Sequence, residues 1–207
     1  LLIRIYQDIH GNDYPMLWVI VAIISVASMF AGNWLALTQQ NIKRILAYSS
    51  IAHMGYILVA FLSGVQTGLE ALAFYLVAYF ITSIGAFGVV IVMSSSLKDA
   101  ETIADYKGLF WRYPWVATVF TAMLLSLAGI PLTAGFIGKF YVVLAGVNGH
   151  QWFLLFMLVI NSVIGLYYYI RLVAAMFAIP AKGEETMVVP ALPMAGNVTL
   201  VILTVLL

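Results

Sequence analysis

Cysteine is absent from all 207 residues. That excludes disulfides, thiol nucleophiles and cysteine-ligated iron–sulfur clusters from this chain. Charge is scarce: 8% of residues are Asp, Glu, Lys or Arg, where a soluble domain carries roughly 25%. The net charge is +1, so there is no basic field of the kind that gathers nucleic acid. The three histidines, His10, His53 and His150, include no pair spaced i, i+4 for a metal or haem. Alternating segments of ~10 residues, the mark of a transmembrane β-barrel, are also missing.

What is present is apolar. Hydrophobic residues make up 64% of the chain and the mean hydropathy is +1.07. A folded soluble surface could not hide so much apolar material. The apolar residues come in runs of about 20, the length a helix needs to cross the hydrocarbon layer. The fold class read from this is all-α: a polytopic transmembrane helix bundle of about six spans. The runs are Met16–Leu37, Ile45–Leu62, Leu69–Met93, an overlong and broken Tyr113–Val147, Trp152–Ala178, and a last one that starts near Pro193 and continues to Leu207. Residues 1–9 read as the tail of an earlier helix. With its last run ending at Leu207, the chain is expected to be part of a longer protein.

The basic residues orient these spans. Lys43 and Arg44, then Lys98, Lys107 and Arg112, then Arg171 and Lys182 lie in or beside connections that alternation places on one face. The opposite connections, Ser63–Gly68 and Gly146–Gln151, hold no lysine or arginine. The positive-inside rule makes the basic face cytoplasmic. Arg4 and Lys139 do not fit the pattern. The polar connection Leu97–Arg112 reads first as a solvated loop and second as a docking surface. Tyr167, Tyr168, Tyr169 and Arg171 read first as an interfacial aromatic belt with a basic anchor.

Lys139 lies inside the broken run. The run from Tyr113 to Val147 would be about 52 Å long as one straight helix, well beyond a hydrocarbon core of ~30 Å. Gly129, Pro131, Gly135 and Gly138 explain how it breaks: proline removes a backbone donor and clashes with the preceding turn, and glycine unwinds readily. Broken helices at membrane depth are tolerated where their backbone is buried in protein or lines a cavity. A charged group there is costly unless paired or hydrated, and marks a functional site by default. Lys139 is therefore a candidate proton relay. The competing reading is a lysine that snorkels to the nearer face, about 13 Å of helix away at Asn148. A phosphate loop is excluded, because Thr133 and Phe140 stand where that motif needs Gly and Ser or Thr.

His53 sits one to two turns into the second run. It can exchange protons near neutral pH, and it can equally be a structural hydrogen-bonding residue. Thr82, Ser83, Ser126, Thr133, Asn161 and Ser162 could hydrate a path, though helix–helix hydrogen bonding is the simpler use.

Asn41-Ile42-Lys43-Arg44-Ile45-Leu46-Ala47-Tyr48-Ser49-Ser50-Ile51-Ala52-His53-Met54-Gly55-Tyr56 resembles the signature of the antiporter-like membrane subunits of respiratory complex I, the proton-translocating NADH:quinone oxidoreductase. That family also includes subunits of Mrp-type cation/proton antiporters and of membrane-bound hydrogenases. Asp105–Phe110, Gly129–Phe140 and Gly165–Arg171 fit the same resemblance. Within it, Gly135–Phe140 looks like the N-type branch. The M-type has glutamate where Lys139 stands, and M- and L-types usually carry a histidine in the preceding span, where Tyr75–Val90 has none.

The resemblance implies fourteen helices with two inverted five-helix repeats. This chain would hold the second repeat and the final helix: residues 1–15 the end of a helix and a periplasmic loop, 16–178 the repeat with one interrupted helix, 179–207 a cytoplasmic loop and the last span. It implies a multi-pass protein of the bacterial inner membrane, a non-redox translocase subunit in contact with lipid and with other membrane-arm subunits of complex I. Lys139 would exchange protons with the periplasmic exit on a hydrated axis at mid-depth, and His53 would lie close to that axis. No cofactor is expected here; flavin, iron–sulfur clusters and quinone would belong to other subunits.

Overall fold

The computed structural model describes residues 15–64, 67–94 and 99–179. Among these residues all regular structure is helical, apart from one isolated bridge between Asn41 and Thr102. The expected tail at residues 1–9 and the last span after Pro193 lie outside the described residues.

Four helices are long and apolar enough to cross a membrane: α1 (Pro15–Thr38), α2 (Ile42–Leu62), α3 (Thr67–Met93) and α7 (Trp152–Phe177). Between α3 and α7 come a 3-10 turn (Ile103–Tyr106), the single turn α4 (Leu109–Arg112), and two shorter apolar helices, α5 (Pro114–Ala128) and α6 (Ala134–Asn148). α5 and α6 are 15 residues each, ~22 Å apiece. Each is too short to span a ~30 Å hydrocarbon core alone. Two starts differ slightly from the apolar runs. α2 begins at Ile42 because the Asn41 side chain caps it, accepting from the Arg44 N–H at 3.1 Å. α3 begins at Thr67.

The bundle has a largely apolar core that also holds a set of buried polar side chains, and its outer surface is apolar. Ser25, Asn33, Ser49, His53, Thr82, Ser126, Lys139 and Asn161 are buried, while Ile23, Trp34, Val77, Ile84, Ile91 and Val163 are exposed. That suits a protein whose solvent is lipid, where burial of apolar groups no longer drives helices together and small residues and polar contacts do. α1 and α2 show it. Gly32 lies against the backbone of Tyr48 and Ala52, and Gly55 against Ser25 and Met29. The Ser25 hydroxyl donates to the Gly55 carbonyl at 2.8 Å.

The connection from Asp99 to Arg112 is not simply a solvated loop. Tyr106 is fully buried, its ring 5.6 Å from that of Phe120. The Ile42 N–H donates to the Glu101 carbonyl (2.7 Å) and the Ile103 N–H to that of Gln40 (3.1 Å). The Gly108 N–H donates to the Ala175 carbonyl at 3.1 Å. The segment therefore clamps the start of α2 to the end of α7. Lys43 is part of it, 2.9 Å from Asp99 and 3.5 Å from Glu101. Arg171 is more than an interfacial anchor: it donates to the Gln39 (2.6 Å) and Leu37 (3.4 Å) carbonyls, where α1 ends.

Candidate functional site: a lysine at a helix break

The break is built by Gly129, Pro131 and Thr133. Gly129 ends α5 in the left-handed conformation, φ 81°. Its N–H bonds the Ser126 carbonyl and the Ile130 N–H that of Leu125, both at 3.0 Å, the paired bonds of a glycine-terminated helix end. The helix thus stops at Ala128, three residues before Pro131, which lies in the connecting turn. Thr133 starts α6: its hydroxyl accepts from the Phe136 N–H (3.3 Å) and donates to the Ile130 carbonyl (2.7 Å). Gly135 and Gly138, read from sequence as unwinding residues, are instead inside α6. They allow close approach. A side chain at Gly135 would collide with the Ser126 backbone, and one at Gly138 would meet the Tyr75 ring. The Gly135 N–H donates to Ser126 Oγ at 3.1 Å.

This leaves the last carbonyls of α5 facing the first turns of α6, and Lys139 turns back to meet them. Its Nζ donates to the carbonyls of Ala128 (2.8 Å) and Leu127 (3.2 Å) and to Ser162 Oγ of α7 (3.0 Å). An ammonium has three N–H donors, and each has an acceptor. The C-terminal end of a helix carries partial negative charge, so a cation there is favoured without a carboxylate. Lys139 is buried, 9% exposed. Its contacts lie at the break, so in this structure it does not snorkel toward Asn148.

His53 is buried on α2 and is held by tyrosines. Its Nδ1 lies 2.7 Å from the Tyr75 hydroxyl and its Nε2 3.3 Å from that of Tyr169; the ring stacks on Tyr79 at 4.9 Å. A small cavity of about 10 Å³ lies between it and the break, lined by His53, Tyr75, Ala78, Tyr79, Thr82, Ser126, Leu127 and Gly135. Thr82 and Ser126 approach to 3.4 Å at that cavity. Beyond it, the buried amide of Asn33 donates to Tyr56 Oη and to Asn161 Oδ1, both at 3.2 Å, and accepts from Tyr168 at 3.0 Å.

Tyr168 and Tyr169 are each 1% exposed, so they are core residues and not part of a belt; Tyr167 alone faces outward. Sequence reading did not single out Asn33, Tyr56 or Tyr75. An amide within an apolar run at Asn33 was one available signal. Another was Tyr75, Tyr79 and Thr82, which share one helical face by their spacing.

The family model for NADH:quinone oxidoreductase/Mrp antiporter transmembrane proteins matches residues 1–165. The chain belongs to this antiporter family. It is an antiporter-like, multi-pass protein of the inner membrane. Over 178 residues, 85% of this chain, it is 49% identical to NADH-quinone oxidoreductase subunit N of Ectopseudomonas mendocina. It spans 36% of that relative's length. Among solved structures it resembles a chain of respiratory complex I from Thermus thermophilus, with TM-score 0.78 and 36% identity, covering 90% of this chain and 42% of that one. It also resembles a chain of the Mrp complex from Dietzia sp., with TM-score 0.79 and 25% identity, covering 89% and 34%. Among the described residues of this antiporter-family chain, no group of three or more His, Cys, Asp or Glu could hold a metal.

Proposed function

We propose that this chain is the C-terminal part of an N-type membrane subunit of NADH:quinone oxidoreductase and that Lys139 relays protons through it. In this reading residues 16–178 are the second five-helix repeat, Gly129, Pro131, Gly135 and Gly138 shape its interrupted helix, and His53 is a second candidate relay. The chain works beside other membrane-arm subunits and leaves redox chemistry, with its flavin, clusters and quinone, to them.

One observation carries the reading. Lys139 is buried at a helix break, with every N–H on a neutral acceptor and no carboxylate within 4 Å among the described residues. A cation stabilised by dipoles alone responds strongly to any charge brought near, because the surroundings screen weakly. A positive charge arriving along the membrane arm disfavours the ammonium and expels its proton. When that charge leaves, the amine reloads. The small cavity between His53 and Ser126 has imidazole, phenol and hydroxyl groups in its lining, where protons can be exchanged.

The test is Lys139→Ala in the assembled, full-length complex, with proton pumping measured against redox turnover. The reading expects pumping or coupled turnover to fall. An unchanged proton-to-electron ratio at unchanged activity overturns it. The alternative is a subunit of an Mrp-type cation/proton antiporter or of a membrane-bound hydrogenase, and its Mrp arm draws support from a fold match as good as the first. The 49% identity to a subunit N against 25% to the Mrp chain favours the first reading. Copurification with flavin and iron–sulfur subunits, or with Mrp partners, separates them.

A further inference from the structure

We infer that Tyr56 is a positioning residue of the relay: its ring face holds the Lys139 ammonium in the proton-loaded state. This rests on the reading of Lys139 as the relay. The Lys139 Nζ lies over the Tyr56 ring, 5.4 Å from its centroid, within the ~6 Å at which a cation is drawn to an aromatic face. Tyr56 is 2% exposed, so water does not screen the contact. With all three N–H groups taken by Leu127, Ala128 and Ser162, further stabilisation of the charge cannot come from hydrogen bonds donated by the ammonium. A ring quadrupole supplies it and occupies no donor.

The ring is held in place. Asn33 donates to the Tyr56 hydroxyl at 3.2 Å and is itself bonded to Asn161 and Tyr168 of α7. Asn161 precedes Ser162, so the same turn of α7 anchors both the ring's holder and the ammonium's third acceptor. Proton loading at Lys139 is thereby tied to the packing of α1, α2 and α7, none of which carries the lysine.

The other titratable groups on the helices packed against α6 are few. α5 has none. α2 adds His53 and, at its basic end, Lys43, Arg44 and Tyr48; α3 has Tyr75 and Tyr79, with Glu70 in its first turn. α7 has Tyr167, Tyr168, Tyr169 and, toward the basic face, Arg171. Of these, His53 is the one histidine, able to change charge near neutral pH, so its own titration must be removed from the comparison.

The experiment measures proton pumping against pH in the full-length assembled complex, for native protein, Tyr56→Leu and Tyr56→Phe, each also in a His53→Gln background. Tyr56→Leu is expected to move the alkaline limb of the profile down by about one pH unit, the size a desolvated cation–π contact supports. Tyr56→Phe, which keeps the ring, is expected to restore most of it. Fluorinated phenylalanines at 56 keep the shape and weaken the quadrupole, so they serve where Tyr56→Leu does not assemble; the limb should move further with each fluorine. An unmoved limb in Tyr56→Leu, a Tyr56→Phe that behaves like Tyr56→Leu, or a fluorine series without trend overturns the inference. Lys139→Ala in parallel separates the two claims: normal pumping there overturns the relay itself, while loss of pumping there with an unmoved Tyr56 series overturns only the role of Tyr56.

Discussion

The Lys139 ammonium lies 2.8 Å from the carbonyl of Ala128, the last residue of α5. The two residues are eleven apart in sequence and on opposite sides of the break. The lysine of one half-helix thus completes the end of the other. This contact makes the break and the charge one unit, and perturbing either should disturb both.

Gly129→Ala should impair both stability and pumping. The position is left-handed, and an added Cβ would fall 2.8 Å from Lys139 Cδ. The backbone cost alone is about 1 kcal/mol. Gly64→Ala is the matched control: its φ is 111° with nothing within 4 Å. Its backbone lies further from the left-handed region open to L-residues, so it should lower the thermal midpoint of the purified complex at least as much and leave pumping intact.

Ser126→Ala should loosen the junction of α5 and α6. It removes the acceptor of the Gly135 N–H and the neighbour of Thr82. The Gly135 N–H is partly buried, so leaving it without a partner costs at most about 1–3 kcal/mol. Thr82→Val should cost less, because Ser126 keeps its bond to Gly135. Denaturation midpoints of the two variants give the ranking.

His53→Phe should destabilise more than His53→Gln. Phenylalanine leaves both the Tyr75 and Tyr169 hydroxyls without the imidazole, whereas glutamine can still donate and accept. Assembly yield measures this. Full pumping by an assembled His53→Gln complex would remove His53 from the proton path.

Lys43→Ala should change little. The pair with Asp99 is exposed, and such pairs contribute about 0–1 kcal/mol and weaken with salt. Asn41→Ala should cost more, about 1 kcal/mol, since it removes a helix cap together with a 2.9 Å bond to Glu101. Neither variant should alter the proton-to-electron ratio, because both residues lie at the basic face and have no contact with Lys139.

The amino-acid sequence by itself determined the long apolar helices, the region where one apolar run breaks, and the presence of Lys139 beside that break. These are local properties: hydropathy acts over ~20 consecutive residues, and Gly129 and Pro131 act on their own turn of backbone. It also reached the family, through the stretch from Asn41 to Tyr56. Only the tertiary structure decided what Lys139 touches, and that Tyr168 and Tyr169 are core residues. It also showed that the segment from Asp99 to Arg112 clamps α2 to α7 and that Gly135 and Gly138 serve packing. Each depends on residues far apart in the chain. The carbonyls of Leu127 and Ala128, the hydroxyl of Ser162 and the ring of Tyr56 converge on one ammonium only after α2, α5, α6 and α7 have packed. No sequence window contains that convergence, because dipoles and ring faces act through space and their directions are set by helix ends and rotamers.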